Sequence, residues 1–370
     1  MASNQKKHRE PLIHISKRDN LPGWAAWLIR LGAIVLGFLA IGVISAILTD
    51  ATFQESFQIM FKGVFGRLLE GKTTLLWKFL KDTAILLCLA LAVTPAFRMR
   101  FWNCGAEGQA LVGGLAAMIC MIEIGDAVPD GVLIAIVAVA SIVAGAIWGL
   151  IPALFHAQYR TNETLFTLMM NYVATQIVAY YVYVTGSGSG IIKPVAYGNL
   201  PVIFDQKFLL VIMIVTGLMI ASFIYLRYSK QGYEISVVGE SQNTARYVGI
   251  NVKKVIIRTM LISGAMCGIA GMLLVSGIDH SINTNTVGGQ GFTAIMISWL
   301  GQFNPFIMAF MSGLFTFLQT GAAKVADTFR LNSAYADIAA GVVILFLVGC
   351  EFFIQYKVRF RRSKKGGAEK

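Results

Sequence analysis

The chain has 370 residues, of which 56% are hydrophobic and only 14% are charged, and its mean hydropathy is +0.67. An ordinary globular domain carries about 25% charged residues, so this composition excludes a soluble enzyme, a disordered chain, a coiled coil and a disulfide scaffold. What remains is an all-α, polytopic membrane protein. Because one membrane span needs about 20 apolar residues, the apolar part of the chain accommodates about ten transmembrane helices.

The first apolar run, Leu31 to Thr49, is too long for the core of a signal peptide, and we expect it to be a retained span. A turn at 301–305, Gly-Gln-Phe-Asn-Pro, divides the apolar stretch 291–322 into two predicted helices. The remaining candidates lie at 83–97, 104–122, 131–155, 164–184, 208–226, 255–277 and 337–356. The predicted organisation is a basic tail at 1–24, a transmembrane domain at 25–356 and a second basic tail at 357–370.

The net charge of +12 is concentrated in the two tails and a few loops. With the N-terminus inside, 22 of the 31 Lys and Arg residues fall in inside segments and 9 in outside segments. Cytoplasmic loops of membrane proteins carry such an excess, so this distribution favours a plasma-membrane protein with both termini in the cytoplasm and an even number of spans. It argues against a nucleic-acid partner.

Two similar segments open apolar helices in the two halves of the chain. Gly105-Ala106-Glu107-Gly108 opens the third span and Gly288-Gly289-Gln290-Gly291 opens the eighth. In the predicted topology they start from opposite membrane faces, which indicates an inverted repeat of five plus five spans, as in many transporters. Glycine makes up 37 of the 370 residues, so coincidence is the alternative explanation.

Residues 66–73, Gly-Arg-Leu-Leu-Glu-Gly-Lys-Thr, match the phosphate-loop pattern G-x-x-x-x-G-K-[ST]. A phosphate loop requires a buried strand before it and a helix after it, whereas this segment lies in a predicted outside loop between two spans. We therefore interpret the match as coincidence. The preceding residues form an amphipathic segment expected to lie on the outer membrane surface, with one apolar face made by Phe57, Met60, Phe61, Val64, Phe65 and Leu68.

The chain offers no catalytic or metal-binding constellation. Its four histidines lie outside the centres of the predicted spans, and its five cysteines lie in or beside apolar runs without a CxxC or Cys/His spacing. Accordingly we predict no metal, no cofactor and no enzymatic centre in this chain. Charges near span ends are expected to reach the membrane–water interface; these are Arg30, Arg258 and Glu351.

Few polar residues lie within the spans, and such residues usually face protein or a water-filled path. Asn103, Glu107 and Gln109 flank the glycine-broken start of the third span, where backbone and amide groups could line a solute path. Asn171 lies in the middle of the fifth span. For Glu107 and Asn171, both a pathway role and a role in helix packing stay open.

The longest predicted inside loop, 227–254, is basic and contains a helix signal. Ser241 is a suitable N-cap, residues 242–248 allow two helical turns, and Gly249 is a suitable C-terminal stop. Gly239 and Gly249 are expected to hold positive φ. A short helix on the inner face favours docking of a soluble partner, the alternative being a solvated loop.

Several motifs resemble those of ABC-transporter permeases of the group that serves branched-chain amino acids, ribose and nucleosides. The cytoplasmic segment of those permeases is similar to Gly232-Tyr233-Glu234, Val238-Gly239-Glu240-Ser241 and Ala245-Arg246-Tyr247-Val248-Gly249-Ile250. The nucleoside and simple-sugar branch has N-I-G-x-E-G-Q where this chain has residues 103–109, with Cys104 in place of Ile. Further motifs of that branch resemble Asn162-Glu163, Met170-Asn171-Tyr172, Gly289-Gln290-Gly291-Phe292 and Asn304-Pro305.

The resemblance implies a permease domain at 25–356 that pairs with a second permease, identical or related. Separate cytoplasmic ABC ATPase subunits would hold ATP and Mg²⁺ and dock on the coupling loop 227–254, and an extracytoplasmic binding protein would deliver a nucleoside or simple sugar. Coupling is then expected at Gly232, Glu234, Gly239, Glu240, Ala245, Arg246 and Gly249. The pathway is expected at Asn103, Glu107, Gln109, Asn171 and Gln290. An ion-coupled secondary transporter and a branched-chain amino acid ABC permease are the alternatives.

Overall fold

The computed structural model describes residues 13–18, 22–49, 52–66, 73–186, 192–332 and 334–360. Within these residues the fold is all-α, as expected, apart from two short strands. The helices form two compact units, one built from residues 1–63 and 318–370 and the other from 64–317. The division into two tails and one transmembrane domain stays a prediction.

The first unit joins the two ends of the chain. Its elements are β1 (Ile13–Lys17), α1 (Gly23–Leu48), most of α2 (Phe53–Phe65), the end of α12 (Pro305–Phe329), α13 (Ala334–Gln355) and β2 (Tyr356–Phe360). Strand β1 precedes α1 and pairs in antiparallel register with β2, which follows α13, so that Lys17 lies opposite Tyr356. The two described strands, one before α1 and one after α13, therefore lie side by side.

Helices α1 and α13 pack closely at one position and are joined by an ion pair at another. A Cβ placed on Gly37 would lie 3.0 Å from the nearest side-chain carbon of Val343, so a glycine allows the two helices to approach. Arg30 is only 3% exposed and pairs with Glu351 at 2.7 Å. The charge at Arg30 is therefore neutralised inside the helix pair instead of reaching the interface by itself.

Helix α2 is amphipathic, as predicted. Met60 and Val64 are buried, and Met60 packs against Gly321 of α12. Phe57 and Phe61 are exposed. Residues 67–72, which contain most of the phosphate-loop match and Leu68, lie outside the described residues.

The second unit holds the remaining helices. They are α3 (Thr74–Arg98), α4 (Ala106–Glu123), α5 (Asp130–Tyr159), α6 (Glu163–Thr185), α7 (Leu209–Tyr228), α8 (Lys230–Glu240), α9 (Gln242–Tyr247), α10 (Val252–Leu274), which continues as a π-helical turn (Val275–Asp279), α11 (Gln290–Leu300) and the start of α12. Its core is packed around α10, which contacts α3, α4 and α5.

Glycines let the backbones of this core touch directly. A Cβ on Gly113 of α4 would lie 2.5 Å from the Cα of Gly268 on α10, and a Cβ on Gly145 of α5 would lie 2.8 Å from the same atom. Small residues at such crossings replace side-chain packing by backbone contact, a common solution between membrane helices. The centre of the unit therefore has no room for side chains at these positions.

In the part of the chain that is described, nine helices are long and apolar enough to cross a membrane. The exact count of ten is not confirmed, because the eighth predicted span is the 11-residue helix α11. At 1.5 Å per residue α11 is about 16 Å long, about half the thickness of the hydrocarbon core. Residues 280–289, which connect it to α10, are not helical.

Candidate solute pathway and coupling surface

Asn103 and Gln109 form a buried amide pair. The side-chain nitrogen of Asn103 donates to Oε1 of Gln109 (3.3 Å), and Nε2 of Gln109 donates back to Oδ1 of Asn103 (3.1 Å). Asn103 also donates to the hydroxyl of Ser263 on α10 (2.9 Å). Both amides are at most 1% exposed, so in this conformation they hold the start of α4 against α10 and do not face an open path.

Asn171 links α6 to the same place. Its side-chain nitrogen donates to the carbonyl oxygen of Cys104 (2.8 Å), and its Oδ1 accepts from the backbone N–H of Gly108 (2.9 Å). A Cβ on Gly108 would lie 2.9 Å from the Cα of Asn171, so the glycine is needed for this approach. Asn171 therefore satisfies backbone groups that the irregular start of α4 leaves without helical partners.

This cluster lies well inside the bundle. Ser263 is 11 residues from the start of α10, about 16 Å along the helix axis. The chain leaves α3 at Arg98, turns at Arg100, whose φ is +60°, and returns to bring Asn103 beside Ser263. Irregular backbone at such a depth is tolerated in membranes where it is buried in protein or lines a cavity. Residues 98–103 are thus not a simple surface loop.

Glu107 binds the N-terminus of α11. Its two carboxylate oxygens accept hydrogen bonds from the backbone N–H groups of Gly289 and Gly291, each at 2.8 Å. A helix N-terminus carries unsatisfied N–H donors and a partial positive charge, and Glu107 satisfies two of those donors. A Cβ on Gly291 would lie 2.8 Å from the Cα of Glu107, so only glycine allows this contact.

The two glycine-containing segments that resemble each other in sequence therefore meet in the structure. The first opens α4 and supplies the carboxylate, and the second opens α11 and supplies the donors. Gln290, between the two donors, has a buried Oε1 without a hydrogen-bond partner among the described residues. The meeting of two helix starts inside a bundle resembles the discontinuous helices of transporter sites. The inverted repeat itself stays a prediction.

An aromatic pair beside this region was not predicted from the sequence. The rings of Trp102 and Trp299 stack with centroids 5.6 Å apart, and Phe97 packs edge-on against both. Each tryptophan is 45% exposed. Trp102 follows α3 and Trp299 ends α11, about 200 residues apart, so no local pattern brings them together. An exposed indole face can stack on a planar base or the apolar face of a sugar ring.

The predicted coupling loop contains two helices. Helix α9 has the predicted cap, because the Ser241 hydroxyl accepts from the N–H of Thr244 (3.2 Å), and Gly249 holds the predicted positive φ, +82°. Helix α8 was missed. Its signal is Ser229, whose hydroxyl accepts from the N–H of Gly232 (2.9 Å), followed by apolar residues spaced three apart, Ile235 and Val238.

Helix α8 is fixed to the bundle by two glycines and an ion pair. Gly232 packs against the end of α7, where an added Cβ would lie 2.6 Å from the carbonyl oxygen of Leu226. Gly239 is helical, so the expectation of positive φ was wrong for this residue. A glycine is required there because the backbone packs against the carbonyl oxygen of Arg98. Glu234 pairs with Arg258 of α10 at 2.9 Å.

The two short helices share a hydrophobic cluster with the turn after α3. Ala245 of α9, fully buried, belongs to it together with Val238 of α8. Met99 and Phe101 belong to it as well. Phe101 is two residues from Asn103, so the chain leads directly from this hydrophobic cluster to the amide cluster at the start of α4.

The outer side of α8 and α9 carries polar and aromatic groups. Glu240, Arg246 and Gly249 are exposed, and so is Tyr247, at 92%. The predicted coupling residues thus divide into two sets. Gly232, Glu234, Gly239 and Ala245 hold the helices in place, whereas Glu240, Arg246 and Gly249 face outward. The five predicted pathway residues all gather around the starts of α4 and α11.

Comparison with known proteins places the chain in a family. Residues 75–348 match the family described as branched-chain amino acid transport system / permease component. The chain is 27% identical to the glucose ABC transporter permease protein TsgB13 of Haloferax volcanii (96% of this chain, 95% of that protein). It is 28% identical to the guanosine ABC transporter permease protein NupP of Bacillus subtilis (92% and 97%) and 24% identical to the nucleoside ABC transporter permease protein NupB of Lactococcus lactis (89% and 92%).

No solved structure matches the chain. The family match covers most of α3 to α13 and therefore includes the amide cluster, the contact between Glu107 and α11, and helices α8 and α9. The chain is a multi-pass membrane protein and belongs to the branched-chain amino acid transport system permease family.

Proposed function

We propose that this chain is the membrane-spanning subunit of an ATP-driven importer for a nucleoside or a simple sugar. The observation that carries the proposal is similarity over nearly the full length to permeases named for glucose, guanosine and nucleosides. The groups gathered at α4 and α11 suit uncharged, hydroxyl-rich solutes. The pair of Trp102 and Trp299 offers an exposed stacking surface, and the amide and hydroxyl side chains would offer hydrogen bonds once the buried cluster opens.

The pathway is proposed to form between this chain and a second permease, identical or related. Asn103, Gln109 and Asn171 hold the irregular start of α4, while Glu107 holds the N-terminus of α11, and Gln290 lies between them. Solute passage then requires a rearrangement at this meeting point, since the amide groups are buried in this conformation. The N-terminus of α11 is held by two hydrogen bonds to the carboxylate of Glu107, and it is therefore suited to such a rearrangement.

Energy is proposed to come from separate cytoplasmic ATPase subunits that hold ATP and Mg²⁺ and dock on the exposed side of α8 and α9. This chain is expected to hydrolyse no ATP itself and to hold no cofactor. The anchored side of the two helices supports the proposal. The ion pair of Glu234 and the backbone contact of Gly239 fix α8, and the buried Ala245 packs α9 into the same hydrophobic cluster. We propose that movement of α8 and α9 is transmitted through this cluster to Asn103.

The proposed location is a bacterial plasma membrane with both termini in the cytoplasm. Pairing of β1 with β2 supports an even number of crossings, because it brings the start of α1 and the end of α13 to the same side of the membrane. Among the described residues, nine helices are long and apolar enough to span, which is an odd number. We propose that residues 280–300 form the tenth crossing, as an irregular segment followed by α11. The excess of positive charge in the predicted inside segments supports this orientation.

Reconstitution into proteoliposomes with the proposed ATPase, second permease and binding protein tests the proposal. We expect ATP-dependent uptake of radiolabelled guanosine or glucose that persists with an ionophore. Uptake that survives ATP depletion and stops with the ionophore would instead favour an ion-coupled transporter. The family's description names branched-chain amino acid transport, and uptake of leucine without uptake of guanosine or glucose would support that alternative.

A further inference from the structure

A groove of about 600 Å³ runs between α1 and α13 in the first unit. Its walls are apolar and include Leu36 and Phe353, and it is widened by Gly32 and Gly349. Arg18 lines the end nearest the two-stranded sheet, where its backbone N–H donates to the carbonyl oxygen of Gln355 (2.9 Å). The groove therefore combines a long apolar surface with one cation at its mouth.

The glycines of the groove have no packing role. A Cβ on Gly32 or Gly349 would meet nothing within 4 Å, whereas a Cβ on Gly37 would press on Val343. Gly37 thus brings the helices together, and Gly32 and Gly349 leave space between them. A membrane protein does not leave such space empty in lipid, so an apolar chain is the natural occupant.

The length of the groove fits one leaflet. Its α1 wall extends from Ile29 to Leu36, about 10 Å along the helix. One leaflet of the hydrocarbon core is about 15 Å thick. An acyl chain that enters beside Arg18 would have most of its length against the groove, with its headgroup at the level of the sheet.

The charges at the mouth favour an anionic headgroup. Lys17 and Lys357 are exposed on the sheet beside Arg18, and none of the three pairs with a carboxylate among the described residues. The nearby carboxylate of Glu351 is already paired with Arg30. Basic pockets at the cytoplasmic ends of membrane helices bind anionic lipid headgroups.

We propose that this groove binds one anionic phospholipid, with an acyl chain between α1 and α13 and the phosphate on Arg18, assisted by Lys17 and Lys357. The lipid would fasten the paired ends of the chain to the membrane surface. This inference does not depend on which solute the permease carries.

The test is native mass spectrometry of the full-length permease in detergent, with phosphatidylglycerol or phosphatidylcholine titrated in. We expect the wild type to retain phosphatidylglycerol in preference to phosphatidylcholine. Arg18→Gln should weaken phosphatidylglycerol binding about fivefold, about 1 kcal/mol for one cation near the surface. Gly32→Leu should abolish binding of that lipid by filling the groove, since its Cβ would meet nothing within 4 Å.

Two matched controls separate the site from general effects. Lys253→Gln removes an exposed cation from the start of α10, and Gly341→Leu adds a side chain in open space on α13 outside the groove. Both should bind phosphatidylglycerol as the wild type does. Unchanged binding in Arg18→Gln or in Gly32→Leu would overturn the proposal. So would efficient disulfide cross-linking of Leu345→Cys to a second copy in membranes, because protein would then cover the groove.

Discussion

The glycine-packed centre of the second unit and the short helices α8 and α9 use the same residue type for different physical reasons. In the centre, Gly113 and Gly268 bring two helix backbones into contact. At the end of α9, Gly249 has nothing near it and is required by its φ of +82°. The first kind of glycine fixes distance between helices, and the second kind fixes the direction of the chain.

Gly239 belongs to the first kind although it lies in the second region. It packs on the carbonyl oxygen of Arg98 and ties α8 to the end of α3. Some residues of α8 and α9 therefore hold the two helices in place, and others form their exposed surface. Substitutions in the centre should affect folding, and substitutions on the outer side of α8 and α9 should affect coupling only.

The largest effect is expected for Gly268→Ala. Its Cβ would press on the carbonyl oxygen of Ser141 in α5, which cannot move without separating two helices. We expect a loss of several kcal/mol of stability, seen as poor expression and a lower melting temperature in detergent. The matched control is Gly217→Ala on α7, where a Cβ meets nothing and the substitution should be neutral or stabilising. Equal behaviour of the two variants would contradict the steric argument.

The next effect is expected for Glu107→Gln. An amide keeps one acceptor oxygen and places an NH₂ group against the other backbone donor, so one of the two bonds to α11 is lost. A hydrogen bond to a charged group contributes about 1.5–3 kcal/mol, and we expect uptake in proteoliposomes to fall at least tenfold while subunit assembly is kept.

The control for this prediction is Glu123→Gln, an exposed residue at the other end of α4, which should leave uptake unchanged. A lower melting temperature with normal uptake per folded complex would assign Glu107 to helix packing alone. Normal uptake and normal stability together would remove it from both roles.

A smaller, more selective effect is expected on the coupling surface. Arg246→Glu reverses an exposed charge, and Gly249→Trp strains the positive-φ stop of α9. Both variants should insert and fold normally but lose part of the solute-stimulated ATPase activity of the assembled complex. For Arg246→Glu the loss should be greater at low salt, because salt screens exposed charges.

Full stimulation of the ATPase activity in both variants would mean that docking occurs elsewhere, with residues 156–163 as the next segment to test.

Gly239→Ala tests a residue of α8 that holds the helix in place instead of forming its exposed surface. It should lower stability, because its Cβ would press on the carbonyl oxygen of Arg98.

The smallest effect is expected for Lys72→Ala. If the match to a phosphate loop at 66–73 is coincidental, removing its lysine should leave uptake and ATP hydrolysis by the assembled complex within a few-fold of the wild type. In a true phosphate loop the lysine contacts the β- and γ-phosphates, so loss of hydrolysis with normal assembly would show that this segment binds nucleotide.

The sequence by itself determined the membrane class, nearly all of the spans and the cap and stop of α9, because these depend on composition and on neighbours within a few residues. Apolar length identifies a span wherever its partners lie. Ser241 and Gly249 act on their own helix, so local patterns were sufficient. The sequence also identified the residues around the starts of α4 and α11, through glycine and polar residues in apolar surroundings.

Only the tertiary structure decided what those residues contact. Glu107 and Gly289 are about 180 residues apart, and no local pattern shows that a carboxylate of one helix binds the N-terminus of another. The same holds for Trp102 with Trp299 and for Gly239 with Arg98. Helix α11 was predicted as a full span because its residues are apolar, yet its start is fixed deep in the bundle by that carboxylate. An apolar sequence indicates that a segment is buried. The length and direction of a buried helix depend instead on partners that are distant in sequence.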